Sequence, residues 1–184
     1  NMKFIYDIKK FSKLDIKLDN KKKTIISVAR FVDQKNIFEI LEIAYKLKNY
    51  NFLILGDGPN MSKVKSIVSV RKLKNVFLLG MKKNIYQYLY ASDLFLITSL
   101  YEGLPLSVLE AMSIGLPVIA TDVIGNKDTI EHEISGFLYK LGDIKSAANY
   151  INQILNNDEM KNRFSINSFQ RQRSLFSHKK MVKS

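Results

Sequence analysis

Two glutamates, Glu102 and Glu110, are the residues of this sequence best placed to do chemistry. They flank the start of a helix predicted over 105–114, since Pro105 suits the first helical position and Gly115 the residue just past the end. The segment is apolar nearly all round, which is typical of a buried helix. An ionised Glu110 in such a helix costs on the order of several kcal/mol unless a partner group compensates it.

The beginning of this helix also favours a negatively charged ligand. Free backbone N–H groups and the positive end of the helix dipole meet at a helix N-terminus, and both suit a phosphate group. Carboxylates accept hydrogen bonds, and a sugar carries several hydroxyl groups that can donate them. Two acids beside such a helix end therefore indicate a site for a phosphorylated sugar.

The same residues resemble a known protein family. Glu102 and Glu110, preceded by Ser99, match the Glu-x7-Glu signature of retaining glycosyltransferases of the GT-B fold, family 4. Five blocks follow the family's order and spacing, namely SVARFVDQKN (27–36), LILGDGPN (53–60), NVFLLG (75–80), LYASDLFLITSLYEGLPLSVLEAMSIGLPVIATD (89–122) and SGFLY (135–139). The resemblance is close over 24–139 and implies the C-terminal, donor-binding half of such an enzyme.

The resemblance also implies roles for the charged residues. Arg30 and Lys35 would hold the diphosphate of the donor, because a planar Arg fork and a Lys point charge together neutralise the leaving group. Glu102 would face the hydroxyls of the transferred sugar, and Glu110 those of the ribose. The competing interpretations are two surface cations for Arg30 and Lys35, and a buried salt bridge to a lysine for Glu110.

Backbone groups complete the implied site. Gly56 and Gly58 would let the chain approach the nucleotide closely, with a plain tight turn as the alternative. Met61 stands where a dinucleotide fingerprint needs its third glycine, which argues against NAD binding. The remaining implied contacts are the backbone at Gly80, the hydroxyl of Ser99, which could instead cap a strand end, and the N–H groups of Gly103, Leu104 and Leu106.

One loop departs from the family pattern, and two kinds of site are not expected. The family often has Gly-Gly-x-Pro-Glu where Ile124 to Asp128 stand here, so donor contacts from this loop are in doubt. No Asp-x-Asp occurs, so we expect no metal ion and no cofactor. His132 and His178 lie in polar surroundings and are expected to be surface residues.

Short β-type runs alternate with helical-period segments, which predicts an α/β fold with a parallel sheet covered on both faces. The predicted strands lie near 24–29, 51–55, 76–79, 93–98, 117–120 and 136–139, and the predicted helices near 36–48, 60–73, 84–91, 105–114, 126–131 and 144–156. The expected fold is a Rossmann-like, doubly wound sheet of about six strands, the C-terminal half of a GT-B fold. Ligands of such sheets bind beyond the carboxyl ends of the strands.

The chain is predicted to have three parts. Residues 1–23 resemble an interdomain linker, 24–157 form the nucleotide-sugar-binding domain, and 158–184 form a helical tail that would pack towards an N-terminal acceptor domain. Residue 1 is asparagine, so we expect a piece of a longer protein. The absence of cysteine fits a cytoplasmic protein.

The net charge of +12 raises nucleic acid or an anionic membrane as partners. We expect compositional bias instead, with peripheral contact to the inner face of the bacterial membrane as the alternative and no nucleic acid, because aromatics do not interleave the lysines. The expected function is transfer of a hexosyl group from an NDP-sugar, preferably UDP, to a lipid-linked or polysaccharide acceptor. The chain alone is expected to be inactive. A sugar-nucleotide epimerase and a non-catalytic sugar-nucleotide-binding module are the alternatives.

Overall fold

The computed structural model describes residues 16, 18–19 and 21–176. Most of the predicted linker, the end of the predicted tail and His178 lie outside these residues. Six strands form one sheet, namely β1 (Thr24–Val28), β2 (Asn51–Leu55), β3 (Val76–Gly80), β4 (Leu94–Ile97), β5 (Val118–Thr121) and β6 (Gly136–Tyr139). All neighbours pair in parallel, in the order β3-β2-β1-β4-β5-β6. This is the doubly wound Rossmann order, and it confirms the predicted fold.

The helices lie between and after the strands. They are α1 (Ile37–Lys46), α2 (Met61–Val70), α3 (Tyr86–Tyr90), α4 (Leu106–Ser113), α5 (Asn126–Thr129), α6 (Ile144–Leu155) and α7 (Asp158–Leu175), with a 3-10 turn at Asp33–Lys35. Most ends agree with the predictions within two residues. The helix predicted over 60–73 ends earlier, at Val70, because Lys72 has a left-handed backbone and the Leu73 N–H turns back to the carbonyl of Val68.

Both faces of the sheet are buried, which explains why its strands are continuous apolar runs. Alternate residues point to opposite faces, so Ile25 and Ile26 of β1 belong to different cores. The first core packs the sheet against α1 and α6, and the second packs it against α3 and α4. Every residue of β2, β4 and β5 is buried, so the sheet is a rigid platform for the loops at the ends of its strands.

Helix α7 packs on the domain itself, against α4 and α6. Phe164 is fully buried, and the Ser168 hydroxyl donates to the carbonyl of Leu116. Arg171 donates to the carbonyl of Thr129 and forms an ion pair with Glu131. Docking of the tail onto an N-terminal domain stays a prediction. Within the described part of the chain, no helix has both the length and the apolar character needed to cross a bilayer.

Candidate functional site

The central feature of the site is an ion pair between Lys35 and Glu102, which are 67 residues apart in the sequence. Lys35 ends the 3-10 turn after β1, and Glu102 follows β4, the strand beside β1 in the sheet. The Lys35 Nζ lies 2.6 Å and 2.7 Å from the two carboxylate oxygens. The Glu102 side chain is 4% exposed and that of Lys35 is 21% exposed. The pair therefore lies at the point where the strand order reverses, where doubly wound sheets bind ligands.

Ser99 holds the carboxylate of Glu102 from the protein side. Its hydroxyl donates to Glu102 Oε1 at 2.6 Å, and the residue is fully buried. The hydroxyl is thus engaged with an acidic side chain rather than with a strand end. A direct contact between Ser99 and the donor stays a prediction.

A chain of buried hydrogen bonds supports Ser99. The Thr121 hydroxyl donates to the Ser99 carbonyl at 2.6 Å, and the Asn126 amide donates to the carbonyl and hydroxyl of Thr121. Thr121 and Asn126 have no exposed surface. Buried hydrogen bonds of this kind rigidify the groups that they join, so the position of Ser99, and through it that of Glu102, depends on a residue 22 positions after Ser99. One polar atom of this hydrogen-bond chain is unsatisfied, since the buried Asn126 Oδ1 has no hydrogen-bond partner among the described residues.

The loop that departs from the family pattern contacts the signature segment directly. The Glu102 N–H donates to the carbonyl of Ile124 at 3.1 Å. Gly125 has φ +82°, and a Cβ there would lie 2.5 Å from the Glu102 carbonyl oxygen and 2.7 Å from that of Gly103. Only glycine fits this approach. The loop therefore supports the backbone of the site, a role that sequence reasoning missed and that the isolated glycine could have signalled.

The loop carrying Lys35 is tied to the same strand end. The Thr98 hydroxyl donates to the carbonyls of Lys35 and Asn36, at 3.1 Å and 2.9 Å. The Gln34 amide donates to the Tyr101 carbonyl, and the Leu100 N–H donates to the Gln34 carbonyl. The backbones on both sides of the ion pair are thereby held, and the freedom that remains lies in the Lys35 side chain.

Arg30 differs from Lys35 although both follow β1. It is exposed, and its guanidinium makes no hydrogen bond or ion pair with another described residue. The competing interpretation of a surface cation is therefore still open for Arg30. Lys35 is not an unpaired surface cation, because its ammonium group pairs with Glu102.

Glu110 lies on the face of α4 that is not covered by the core. It is half-buried, and burial raises the pKa of its carboxyl group. No lysine pairs with it among the residues that the structure describes, so the alternative of a buried salt bridge finds no support there. The expectation of a helix apolar and buried nearly all round is wrong on this face, since Leu106 is 62% exposed.

The helix begins one residue later than expected. Pro105 is the residue before the helix, with φ −78° and ψ 82°, and Leu106 is the first helical residue. Gly115 stands just past the end with φ +75°, as predicted. Gly103, Leu104 and Leu106 are all exposed, so the N-terminus of α4 is open to solvent, and backbone contacts to a donor stay a prediction.

The predicted glycines divide into two kinds. A Cβ at Gly56 would lie 1.9 Å from the Ala29 carbonyl oxygen, and one at Gly58 would lie 2.6 Å from that of Phe31. These two glycines are needed where the β2 loop packs against the β1 loop. By contrast, a Cβ at Gly80, which has φ +66°, would meet nothing within 4 Å. Nucleotide contact by any of the three stays a prediction.

A cavity of about 320 Å³ lies at the other end of the strands, near their amino ends. Its lining includes Ser92, Asp93, Gly115 and Lys161. It contains none of the predicted site residues. We place the site in the crevice at the carboxyl ends because ligands of parallel sheets bind there. His132 is exposed, as predicted, and accepts a hydrogen bond from the Leu138 N–H. The described residues contain no group of three or more His, Cys, Asp or Glu that could hold a metal ion.

Comparisons with known proteins identify the family of this chain. The chain belongs to the family of glycosyl transferases group 1, whose model matches residues 9–171.

Two curated relatives show what kinds of protein resemble it. The chain is 38% identical over 130 residues to the UDP-Gal:alpha-D-GlcNAc-diphosphoundecaprenol alpha-1,3-galactosyltransferase of Escherichia coli, across 66% of this chain and 34% of that protein. It is 34% identical over 137 residues to the amylovoran biosynthesis glycosyltransferase AmsK of Erwinia amylovora, across 67% of this chain and 34% of that protein. The chain thus spans about a third of the length of these relatives.

Solved glycosyltransferase structures share the fold. A variant of S. aureus TarM in complex with fondaparinux, alpha-GlcNAc-glycerol and UDP matches with a TM-score of 0.84 and 29% identity, over 94% of this chain and 37% of that chain. Anabaena HepE in complex with UDP-glucose matches with a TM-score of 0.80 and 22% identity, over 85% of this chain and 45% of that chain. At that identity the second match shows the fold alone.

Proposed function

We propose that this chain is the C-terminal, donor-binding domain of a retaining glycosyltransferase of the GT-B fold, family 4. The enzyme transfers a hexosyl group from an NDP-sugar, preferably UDP, to a lipid-linked or polysaccharide acceptor of the bacterial envelope, without a metal ion. The observation that carries this proposal is the Ser99–Glu102–Lys35 constellation at the sheet's switch point, with Glu102 buried and Lys35 partly exposed. Arg30 follows the same strand as Lys35 and pairs with no other described residue.

Each site residue has a role that matches its surroundings. Arg30 offers a two-pronged contact to the diphosphate, and Lys35 adds a second positive charge across the crevice. Glu102, held by Ser99, accepts hydrogen bonds from hydroxyls of the transferred sugar. Glu110 is a half-buried acid without a protein partner among the described residues, which suits an acceptor for ribose hydroxyls.

The chemistry expected of this site is electrostatic. When the bond from the anomeric carbon to the diphosphate oxygen breaks, negative charge grows on the departing diphosphate. Arg30, Lys35 and the N-terminus of α4 are positive groups that would stabilise this charge. The leaving phosphate oxygen would take the proton of the acceptor hydroxyl, which accords with retention.

The comparisons support the donor and acceptor classes. The E. coli relative is named for a UDP-sugar and a lipid diphosphate acceptor, and the TarM variant was solved with UDP. The acceptor would bind a separate N-terminal domain, so the chain alone transfers no sugar. We propose a cytoplasmic location, with peripheral contact to the inner membrane face as a further proposal.

Isothermal titration of the chain with UDP, GDP and ADP, in the presence and absence of EDTA, tests this proposal. We expect one nucleoside diphosphate, UDP first, to bind with micromolar affinity and to be unaffected by EDTA. Binding of none of the three, or binding that needs added magnesium or manganese, would refute the proposed site.

A further inference from the structure

The two groups assigned to different parts of the donor are bound to each other in this structure. Lys35, assigned to the diphosphate, donates to both carboxylate oxygens of Glu102, assigned to the sugar. An ammonium group has three N–H donors, so this arrangement leaves one for a phosphate oxygen. A carboxylate bound to Lys35 also places a negative charge next to an incoming diphosphate.

The two oxygens of Glu102 are not equivalent. Oε1 accepts from both Ser99 and Lys35, whereas Oε2 accepts from Lys35 alone. A carboxylate oxygen has two lone-pair sites, so Oε2 is the oxygen with room for another donor. A hydroxyl group arriving from the crevice would therefore compete with Lys35 for Oε2.

We propose that the Lys35–Glu102 pair couples the sugar subsite to the diphosphate subsite, so that Lys35 serves the diphosphate fully only when a sugar hydroxyl occupies Glu102. This inference rests on the proposed function and deepens it. The pair makes the site favour the intact nucleotide sugar over the free nucleoside diphosphate, which is the product that must leave.

The surrounding contacts limit what can move when the pair opens. Ser99 holds the carboxylate and Ile124 holds the backbone of Glu102, while Thr98 holds the backbone of Lys35. The Lys35 side chain is the partly exposed member, and its rotation is the remaining freedom. Arg30 pairs with no other described residue, so it attracts the donor and the product alike.

The test compares the affinities of UDP, UDP-glucose and UDP-galactose for the wild type and for Glu102→Gln by isothermal titration. The amide keeps the shape of the side chain, removes the charge and releases Lys35. We expect UDP to bind about threefold to tenfold more tightly to the variant, and the ratio of UDP-sugar to UDP affinity to fall about tenfold. UDP affinity that is unchanged or weaker in a folded Glu102→Gln protein overturns the inference.

Glu42→Gln is the matched control, because it makes the same change of net charge at an exposed glutamate that pairs with Arg71. We expect its UDP affinity to equal that of the wild type. Equal tightening in this control would show a general charge effect and would also overturn the inference.

The double variant Lys35→Met/Glu102→Gln keeps the test decisive if the single variant does not fold, since it leaves no buried charge unpaired. If Glu102 holds Lys35 back from UDP, removing both charges changes UDP affinity by less than about threefold. If Lys35 instead binds the diphosphate independently, the double variant weakens UDP about tenfold, and the inference is wrong. Failure of the wild type to bind any nucleoside diphosphate refutes the proposed function itself, and the inference with it.

Discussion

The domain has a mostly enclosed lysine–carboxylate pair at each end of its parallel strands. We call the side of the amino ends the amino edge and the side of the carboxyl ends the carboxyl edge, and the two pairs have different surroundings. At the amino edge, Lys161 of α7 contacts Asp93 Oδ1 at 2.5 Å, and the second oxygen accepts from the Thr24 N–H at 2.9 Å. At the carboxyl edge, Lys35 pairs with Glu102, which precedes the exposed N-terminus of α4 in the sequence. Both oxygens of Asp93 are thus held by parts of the fold, although this pair lines the cavity of about 320 Å³, whereas Glu102 Oε2 accepts from the Lys35 side chain alone.

Burial and distance alone therefore do not distinguish a structural ion pair from the one that we propose to be functional. Both pairs are short and mostly enclosed. Asp93 joins the start of β1 to the last helix, so its partners are parts of the fold. The cationic partner of Glu102 is the Lys35 side chain, which is 21% exposed. Under the proposed function, a ligand hydroxyl replaces Lys35 at Glu102, whereas the partners of Asp93 hold the fold together.

The largest expected effect is on stability at the amino edge. Asp93→Ala leaves Lys161 without its carboxylate and the Thr24 N–H without its acceptor, so the free energy of unfolding should fall by about 3 kcal/mol or more. Urea denaturation measures this fall. UDP affinity of the folded variant should be unchanged, because the site lies at the other edge. Reduced UDP affinity at unchanged stability would reverse the assignment of the two edges.

A smaller effect, on affinity, is expected at Glu110. Glu110→Ala should weaken UDP binding by about one to two decades, if its hydrogen bonds to ribose hydroxyls are worth about 1.5–3 kcal/mol. Stability should not fall, since the substitution removes a half-buried charge that has no protein partner among the described residues. Titration of the variant with UDP and with deoxy-UDP checks the assignment. An unfolded Glu110→Ala protein would favour a structural role.

Arg30→Ala should weaken UDP binding about tenfold and change stability by less than about 0.5 kcal/mol, since the side chain is exposed. The loss should shrink as salt screens the contact, and Arg30→Lys should restore little of it. Titration at two salt concentrations measures both effects. Arg71→Ala, at an exposed arginine of the opposite edge, is the control and should bind UDP normally. Equal losses in the two variants would indicate net charge rather than a diphosphate contact.

The smallest expected effect is a pH dependence. Burial raises the pKa of Glu110 in the folded chain, so ionised Glu110 destabilises the fold at pH values above that pKa. Glu110→Gln should therefore be more stable than the wild type at neutral pH, and this advantage should vanish as the pH falls below the ordinary carboxyl pKa. Urea denaturation across this range measures the difference. An advantage that grows as the pH falls would show that the carboxylate is stabilised by a partner.

Sequence reasoning predicted the elements well because their signals are local. The apolar runs of β2 and β4 predicted buried parallel strands, and Gly115 predicted the end of α4. It failed where a distant contact decides the outcome. The helix face that carries Leu106 and Glu110 looked buried, because nothing in the local pattern shows that the crevice leaves that face uncovered.

The site was predicted as a set of residues but not as a set of contacts. Lys35, Ser99 and Glu102 were chosen correctly as neighbours, yet their mutual hydrogen bonds were not foreseen. The support from Thr121, Asn126 and Gly125 was missed entirely, because it joins loops after two different strands.

By itself the sequence determined the succession of strands and helices along the chain, the buried apolar runs and the family. Each of these depends on residue types at short or repeated spacings. Only the tertiary structure decided that Lys35 pairs with Glu102 and that Lys161 pairs with Asp93. The physical reason is the strand order of the sheet. By placing β4 beside β1, it brings together loops that are far apart in the chain, and charges on those loops pair according to distance in space.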